Sequence, residues 1–561
     1  MVTNGMRRRR VRWILGIVPL MAVLLIACEG GVTPTSAPPQ PTDTPSPAPT
    51  ATATAVPTPT FTPSPTAEPA PTATATVIPT PTSTPTPTQS EIAVYEVSEC
   101  RFDVPRGQTV QCGFLSVPED RRQTGGPTLR LHVAIFRSHS SNPAPDPIVY
   151  LEGGPGGKSL KAVPLIFNRR FAPFLADRDF IMFDQRGVGF SEPALDCPEA
   201  IEVVHDTLDQ DMSFEETVAL SAEAILACRD RLVREGVNLE AFTSAESAAD
   251  LKDLRQALGY DEWNLYGISY GTRLALTAMR DFPEGIRSVI LDSTVPLEVN
   301  LYTQLSPDAD RAFDVLFNGC AVSPICNAAY PDLGVTFFEV VEQLNKAPVV
   351  NSITNPLTGE TFDALTTGDD LVEVVFQSLY STEIIPVLPQ IIYDARRGRF
   401  GLLALLQGSF LADLEFISHG MHLSVQCGEE IPFTTREEIA ASSEAYPEFQ
   451  GNFDSTSIFD LCQSWGARRA DPVENQPVRS DIPTLVLAGE YDPITPPAWG
   501  QLAAENLSNS FYFEFPGVGH GASLAGPCPQ SVVLEFLDTP GSEPDASCIA
   551  GMGGPAFVVR P

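Results

Sequence analysis

Trp263-Asn264-Leu265-Tyr266-Gly267-Ile268-Ser269-Tyr270-Gly271-Thr272-Arg273 joins a short apolar run to a segment of helical character that continues to Arg280. Trp263 to Tyr266 reads as a buried strand, and Gly267 to Gly271 has the GxSxG spacing of a sharp strand-to-helix turn. On such a turn serine takes a strained backbone conformation that projects its hydroxyl, and the flanking glycines remove side chains that would strike nearby backbone. The helix opening just after it brings a positive dipole end toward developing negative charge. Ser269 is the candidate nucleophile; a small-residue turn without chemistry is the alternative reading.

Working outward, Ile148 to Leu151, Phe180 to Phe183, Ser288 to Leu291 and Thr484 to Leu487 are further apolar runs of the kind expected for buried parallel strands. Thr128 to Phe136 alternates like a half-exposed strand, and Ala248 to Leu258 and Thr272 to Arg280 read as helices. Strands alternating with helices predict an α/β fold, a mostly parallel central sheet with helices on both faces. The alternation lapses between Leu297 and about Val478, where longer helical runs such as Asp369 to Tyr380 and Ile384 to Ala395 stand between two core strands. This segment reads as an inserted, mainly helical cap.

A serine hydroxyl needs a base. Among six histidines, His520 alone sits in a glycine-rich loop, Phe515-Pro516-Gly517-Val518-Gly519-His520-Gly521, directly after the strand-like Phe511 to Phe515. The acid is expected at the end of the penultimate core strand, where Asp492 is the choice and Glu490 the nearby competitor. Its carboxylate would hold the imidazole in the useful tautomer. An oxyanion needs backbone donors. The amide of Tyr270 is one, and Gly153 or Gly154, in Glu152-Gly153-Gly154-Pro155-Gly156-Gly157, supplies the other. That glycine run lacks the Lys-Ser/Thr ending of a phosphate-binding loop.

These pieces resemble the prolyl aminopeptidase and tripeptidyl aminopeptidase branch of the α/β-hydrolases over most of residues 95 to 550. The resemblance is carried by Gly153-Gly154-Pro155-Gly156, by Phe183-Asp184-Gln185-Arg186-Gly187-Val188-Gly189-Phe190-Ser191, by Ala248, Asp250 and Leu251 leading into Tyr266 to Arg273, and by Pro483 to Pro497. It implies an α/β-hydrolase fold and release of N-terminal residues or short peptides by a serine triad, with peptide as substrate and without metal or cofactor. Glu152 departs from the histidine that prolyl aminopeptidases carry there, which speaks against a proline preference. Val425-Gln426-Cys427-Gly428-Glu429-Glu430 is similar to the family's cap motif, which implies that Glu429 or Glu430 could bind a substrate ammonium; surface acids are the alternative.

The N-terminus orders Arg7 to Arg10 and Arg12 before the apolar run Trp13 to Ala27, as an export signal does. Leu25-Ile26-Ala27-Cys28 resembles the bacterial lipobox, which implies lipidation of Cys28 and anchoring at the outer face of the cell membrane. Thr33 to about Thr88 is Pro, Thr, Ala and Ser without apolar periodicity, a disordered spacer with a reach of at most ~170 Å. The expected division is therefore signal 1–27, anchor and spacer 28–90, core 91–297, cap 298–478 and core 479–561.

Acids outnumber bases 70 to 35, and removal of the signal's five arginines would take the net charge from -35 to -40, which disfavours nucleic acid as a partner. Apart from Cys28 there are ten cysteines, an even number in an exported chain. Their order suggests local disulfides Cys100–Cys112, Cys197–Cys228, Cys320–Cys326, Cys427–Cys462 and Cys528–Cys548. An extracellular esterase or lipase on the same triad and a non-catalytic surface binding protein are the competing functions.

Overall fold

The computed structural model describes residues 93–559; the expected signal, Cys28 and the expected spacer lie outside them. Eleven strands are present among the described residues: β1 (Val94–Ser98), β2 (Val110–Pro118), β3 (Thr128–Phe136), β4 (Ile148–Leu151), β5 (Phe180–Phe183), β6 (Trp263–Ile268), β7 (Ile286–Asp292), β8 (Val349–Thr354), β9 (Thr361–Thr366), β10 (Thr484–Gly489) and β11 (Ser510–Phe515). Nine form one sheet in the order β1-β2-β3-β5-β4-β6-β7-β10-β11. From β5 to β11 every pairing is parallel, whereas β1, β2 and β3 pair antiparallel.

The apolar runs are continuous because both faces of the sheet are covered. Val149, Leu151, Leu265, Val289 and Val486 belong to one buried cluster. Their neighbours Ile148, Tyr150, Tyr266, Ile290 and Leu485 belong to the cluster on the other face. The same fact corrects the expectation for β3: its residues from Leu131 to Phe136 are all buried, its alternate side chains entering the two clusters in turn.

Between β5 and β6, a buried ion pair fixes the chain. Arg186, fully buried, donates to both carboxylate oxygens of Asp250 at 2.8 and 2.7 Å and to the carbonyls of Glu119 and Ala241. Asp184 of the same turn accepts the amides of Leu160 and Phe190, the first of which opens the helix Ser159–Arg170. Burial pushes the Asp184 carboxyl up to about 7.

Above the C-terminal edge of the sheet, residues between β7 and β10 build a roof with its own buried cluster, including Phe313, Phe337, Leu371, Ile391 and Phe449. It is mainly helical but also holds the hairpin β8–β9, which apolar periodicity did not reveal because its residues are largely solvent-facing. The roof is not built by one excursion alone: the helix Phe214–Arg234, from the crossover between β5 and β6, packs against the helix Ile458–Trp465. Disulfides join Cys197 to Cys228 in the first excursion and Cys427 to Cys462 in the second. Cys100–Cys112, Cys320–Cys326 and Cys528–Cys548 are joined as well. No helix among the described residues is long and apolar enough to cross a membrane.

The Arg186–Asp250 pair yields a stability test. Asp250→Ala leaves the buried Arg186 guanidinium with only Glu246, at 3.7 Å, as a carboxylate and should cost about 3–5 kcal/mol in urea denaturation, whereas Arg186→Met with Asp250→Leu should recover part of that loss, Arg121 losing its bond to Asp250 in both. A single substitution costing no more than a surface change would contradict the role given to the pair.

Candidate active site

β6 ends at Ile268, and Ser269 takes φ 58° and ψ -128° before the helix Tyr270–Asp281 begins. This left-handed φ is rare for a residue with a Cβ and costs on the order of 1–3 kcal/mol, held here by the surrounding contacts. The Ser269 amide donates to the Asp292 carbonyl, and its own carbonyl accepts from the Thr272 amide and hydroxyl. The chain can turn so sharply only with glycine on either side. A Cβ at Gly271 would lie 2.0 Å from the Leu151 carbonyl oxygen, and one at Gly267 would lie 2.4 Å from that of Gly271.

Asp492 and His520 stand on the loops after β10 and β11 and are buried. His520 Nδ1 lies 2.8 Å from Asp492 Oδ2. Burial alone would raise the Asp492 carboxyl, but the facing His520 and bonds from the Thr495 amide and hydroxyl hold it below its ordinary value. His520 Nε2 has no hydrogen-bond partner, so the imidazole is not bonded to the Ser269 hydroxyl in this structure. Serine–histidine bonds in unliganded sites are frequently long and tighten with substrate. Glu490 is directed elsewhere, its carboxylate accepting the Gly517 amide at 2.7 Å.

The histidine loop rests on residues that the motif reading missed. Asp292, the last residue of β7 and fully buried, accepts the amides of Ala522 and Ser523, and Ser293 accepts that of Gly521. Burial pushes the Asp292 carboxyl up to about 6 despite these bonds. A signal existed: an acid closing an apolar strand at the carboxyl edge of a parallel sheet stands where ligands bind. Tyr380, from the roof, sets its ring edgewise on His520 with centroids 4.9 Å apart and accepts the His520 amide on its carbonyl.

A pocket opens beside Ser269, with Gly154, Tyr270, Arg273, Thr495 and Trp499 on its wall. Of the two glycines considered as oxyanion donors, Gly153 has its amide occupied by the Glu152 carboxylate at 3.0 Å. Gly154 lines the pocket at φ 115°, and the Tyr270 amide belongs to the first helical turn, whose donors lack partners within the helix. Glu152 is held by Tyr150 as well, and burial raises its carboxyl.

Glu429 and Glu430 differ from the expectation of an ammonium site. Glu429 is buried, and its two oxygens accept the amide and the hydroxyl of Ser244, both at 2.6 Å, at the start of the helix Ser244–Leu258. Glu430 lines the pocket, but it is paired with Arg273 at 2.8 Å and accepts the Leu301 amide at 3.0 Å. Arg273, on the helix that follows Ser269, also reaches Glu429 at 3.4 Å. The two acids therefore clamp the roof to the core through a shared guanidinium, a use their adjacency in sequence does not reveal. Among the described residues no cluster of three or more His, Cys, Asp or Glu could hold a metal ion.

Comparison with known proteins agrees with this architecture. Residues 146–321 match the family described as alpha/beta hydrolase fold, and residues 447–548 match the family described as TAP-like protein. The chain is 26% identical over 458 residues to the serine protease Hip1 of Mycobacterium tuberculosis, covering 76% of this chain and 84% of the relative. It is 30% identical over 254 residues to the tripeptidyl aminopeptidase of Streptomyces lividans, covering 44% and 47%. It is 27% identical over 475 residues to a carboxylesterase B of Mycobacterium tuberculosis, covering 78% and 86%. With its parallel sheet, a serine on the turn after β6 and a TAP-like C-terminal match, the chain has the α/β-hydrolase fold and is similar to peptidases.

Proposed function

We propose that the protein is a serine aminopeptidase that forms an acyl-enzyme on Ser269. The observation that carries this reading is the buried His520–Asp492 pair on the same sheet edge as a serine held at left-handed φ beside a pocket. In the reaction, His520 Nε2 takes the proton as the Ser269 hydroxyl attacks the scissile carbonyl, and Asp492 stabilises the imidazolium. The amides of Tyr270 and Gly154 receive the oxyanion, His520 returns the proton to the leaving amine, and water then releases the acyl portion. The TAP-like match and the relatives named as peptidases favour amide over ester bonds; the relative named as a carboxylesterase keeps the esterase as the second reading.

Ser269→Ala and His520→Ala should each lower kcat by roughly 10³-fold or more while thermal melts stay near wild type, because triad members act as a unit. Folded Ser269→Ala protein with near wild-type turnover would sink the assignment. Tripeptidyl p-nitroanilides should be better substrates than short p-nitrophenyl esters relative to each compound's spontaneous hydrolysis; the reverse order would favour the esterase.

The lipobox-like Leu25 to Cys28 supports export with lipid anchoring at the outer membrane face. Cys28→Ser should move the protein from the detergent phase of a Triton X-114 partition to the aqueous phase. Unchanged partition, with the signal removed, would show another anchor at work.

A further inference from the structure

The roof helix His419–Val425 runs on through Gln426 to Glu430 as one widened turn, in which the Ile431 amide reaches back to the Gln426 carbonyl. Wide turns of this kind are frequent at functional sites. Every other residue of the turn is tied to the rest of the molecule. Cys427 is bonded to Cys462, and the Gly428 carbonyl accepts the Ala470 amide at 2.8 Å. Glu429 holds Ser244, and Glu430 holds Arg273 and the Leu301 amide.

Gln426 is the exception. Its backbone is satisfied, the amide donating to the carbonyls of His422 and Leu423. Its side chain is only 3% exposed, lines the pocket beside Ser269 and has no hydrogen-bond partner on Oε1. Leaving a carboxamide buried and unpaired costs about 1–3 kcal/mol. A turn that is fixed at each neighbouring residue and carries this cost into the pocket fits a ligand that completes the bond.

The charged groups of the wall already face each other, Arg273 against Glu430, and the Thr495 hydroxyl donates to Asp492. Val295, Leu301, Val425, Ile494 and Trp499 make most of the remainder apolar. Such a wall suits a ligand that is uncharged, apolar in its side chain and polar in its main chain, as a peptide is. Gln426 enters from the roof segment that also supports the glycine loop Gly153 to Gly157. There the Ser418 amide donates to the Gly156 carbonyl at 2.8 Å, and Gly157 pairs with Ile417 as in a short ladder. In acyl transfer the leaving amine departs beside His520, while the acyl portion stays on Ser269 with its oxygen at the backbone donors. The nearest main-chain donor of that portion is the N–H two bonds from the attacked carbon.

We propose that Gln426 is a specificity-determining residue whose Oε1 accepts the main-chain N–H of the substrate residue that bears the carbonyl attacked by Ser269. The proposal rests on the acyl-enzyme reading at Ser269. The bond selects acyl groups that carry an α-amide, and so separates peptides from simple esters that offer Ser269 the same carbonyl. It also aligns the acyl portion, with the side chain of that residue on the apolar wall.

The test pairs Ala-Ala-Phe with its ketomethylene analogue, in which CH2 replaces the N–H between the second alanine and phenylalanine, each as p-nitroanilide and as thiobenzyl ester. The full-length wild-type enzyme should prefer the amide by at least about tenfold in kcat/KM, and Gln426→Met should bring that ratio to within about twofold of unity. Because the carboxamide is unpaired without ligand, Gln426→Met should melt no lower than wild type. Calorimetric binding of the two peptides, as C-terminal amides, to Ser269→Ala protein reads the same contact without turnover; it should show the same preference, lost when Gln426→Met is added. No preference with Gln426 in place, or a preference unchanged in Gln426→Met, overturns the proposal. A lowered melting temperature with equal losses on both peptides overturns it too, by making Gln426 a structural residue. Preference in binding and in thioester cleavage while no anilide is cut would refute the peptidase reading, and preference in binding with neither cleaved would refute the role of Ser269; in both cases the contact with the main-chain N–H stands.

Discussion

The left-handed backbone at Ser269 is the constraint around which the site is arranged. It forces the chain from β6 into a helix within one residue, and it is possible only because Gly267 and Gly271 allow backbone to lie where side chains would otherwise be. The turn is then held from both sides, by the Asp292 carbonyl beneath and the Leu151 strand end beside it. Asp292 links the turn to the histidine loop, because its backbone holds Ser269 while its carboxylate holds Ala522 and Ser523. Ser269 and the His520 loop are thus positioned by opposite ends of one residue.

The roof is attached by charge as well as by apolar packing, in which Met421, Leu423, Val425 and Trp465 join the cluster on the sheet. Arg273 lies four residues after Ser269 and is engaged by two adjacent acids of the roof, one of which also closes the start of the helix Ser244–Leu258. Buried ionic contacts of this kind tolerate poor geometry badly, so they specify where the roof sits more than how strongly it is held. The strain of the turn and the placement of the pocket wall are therefore coupled through a single helix.

Much of this was legible in the sequence because its causes are local. The strands β4 and β5 fall where their apolar runs end, since a strand buried on both faces has no reason to admit a polar residue before its turn. Ser269, Asp492 and His520 announce themselves by glycine-rich turns after strands. What escaped depends on contacts across long stretches of chain. β1 and β2 are less uniformly apolar, and the hairpin β8–β9 faces solvent, so neither carries a strong pattern. Glu429 and Glu430 look like surface or substrate acids until the fold brings Arg273 and Ser244 to them. The contribution of the helix Phe214–Arg234 to the roof is invisible for the same reason: its partner lies more than two hundred residues away.

The five disulfides bear on how the molecule is made. Among the described residues, each cysteine read in chain order pairs with the next one, and the widest loop spans 35 residues. From Cys100 onward, a chain oxidised while it emerges from its N-terminus meets the right thiol before the later ones have arrived. Connectivity is then a matter of arrival order, needing no search among the many pairings that ten thiols allow and no later reshuffling. Because each loop closes within its own neighbourhood, the staples preserve pieces of the fold without dictating their assembly, which is left to the sheet and to the Arg273 clamp.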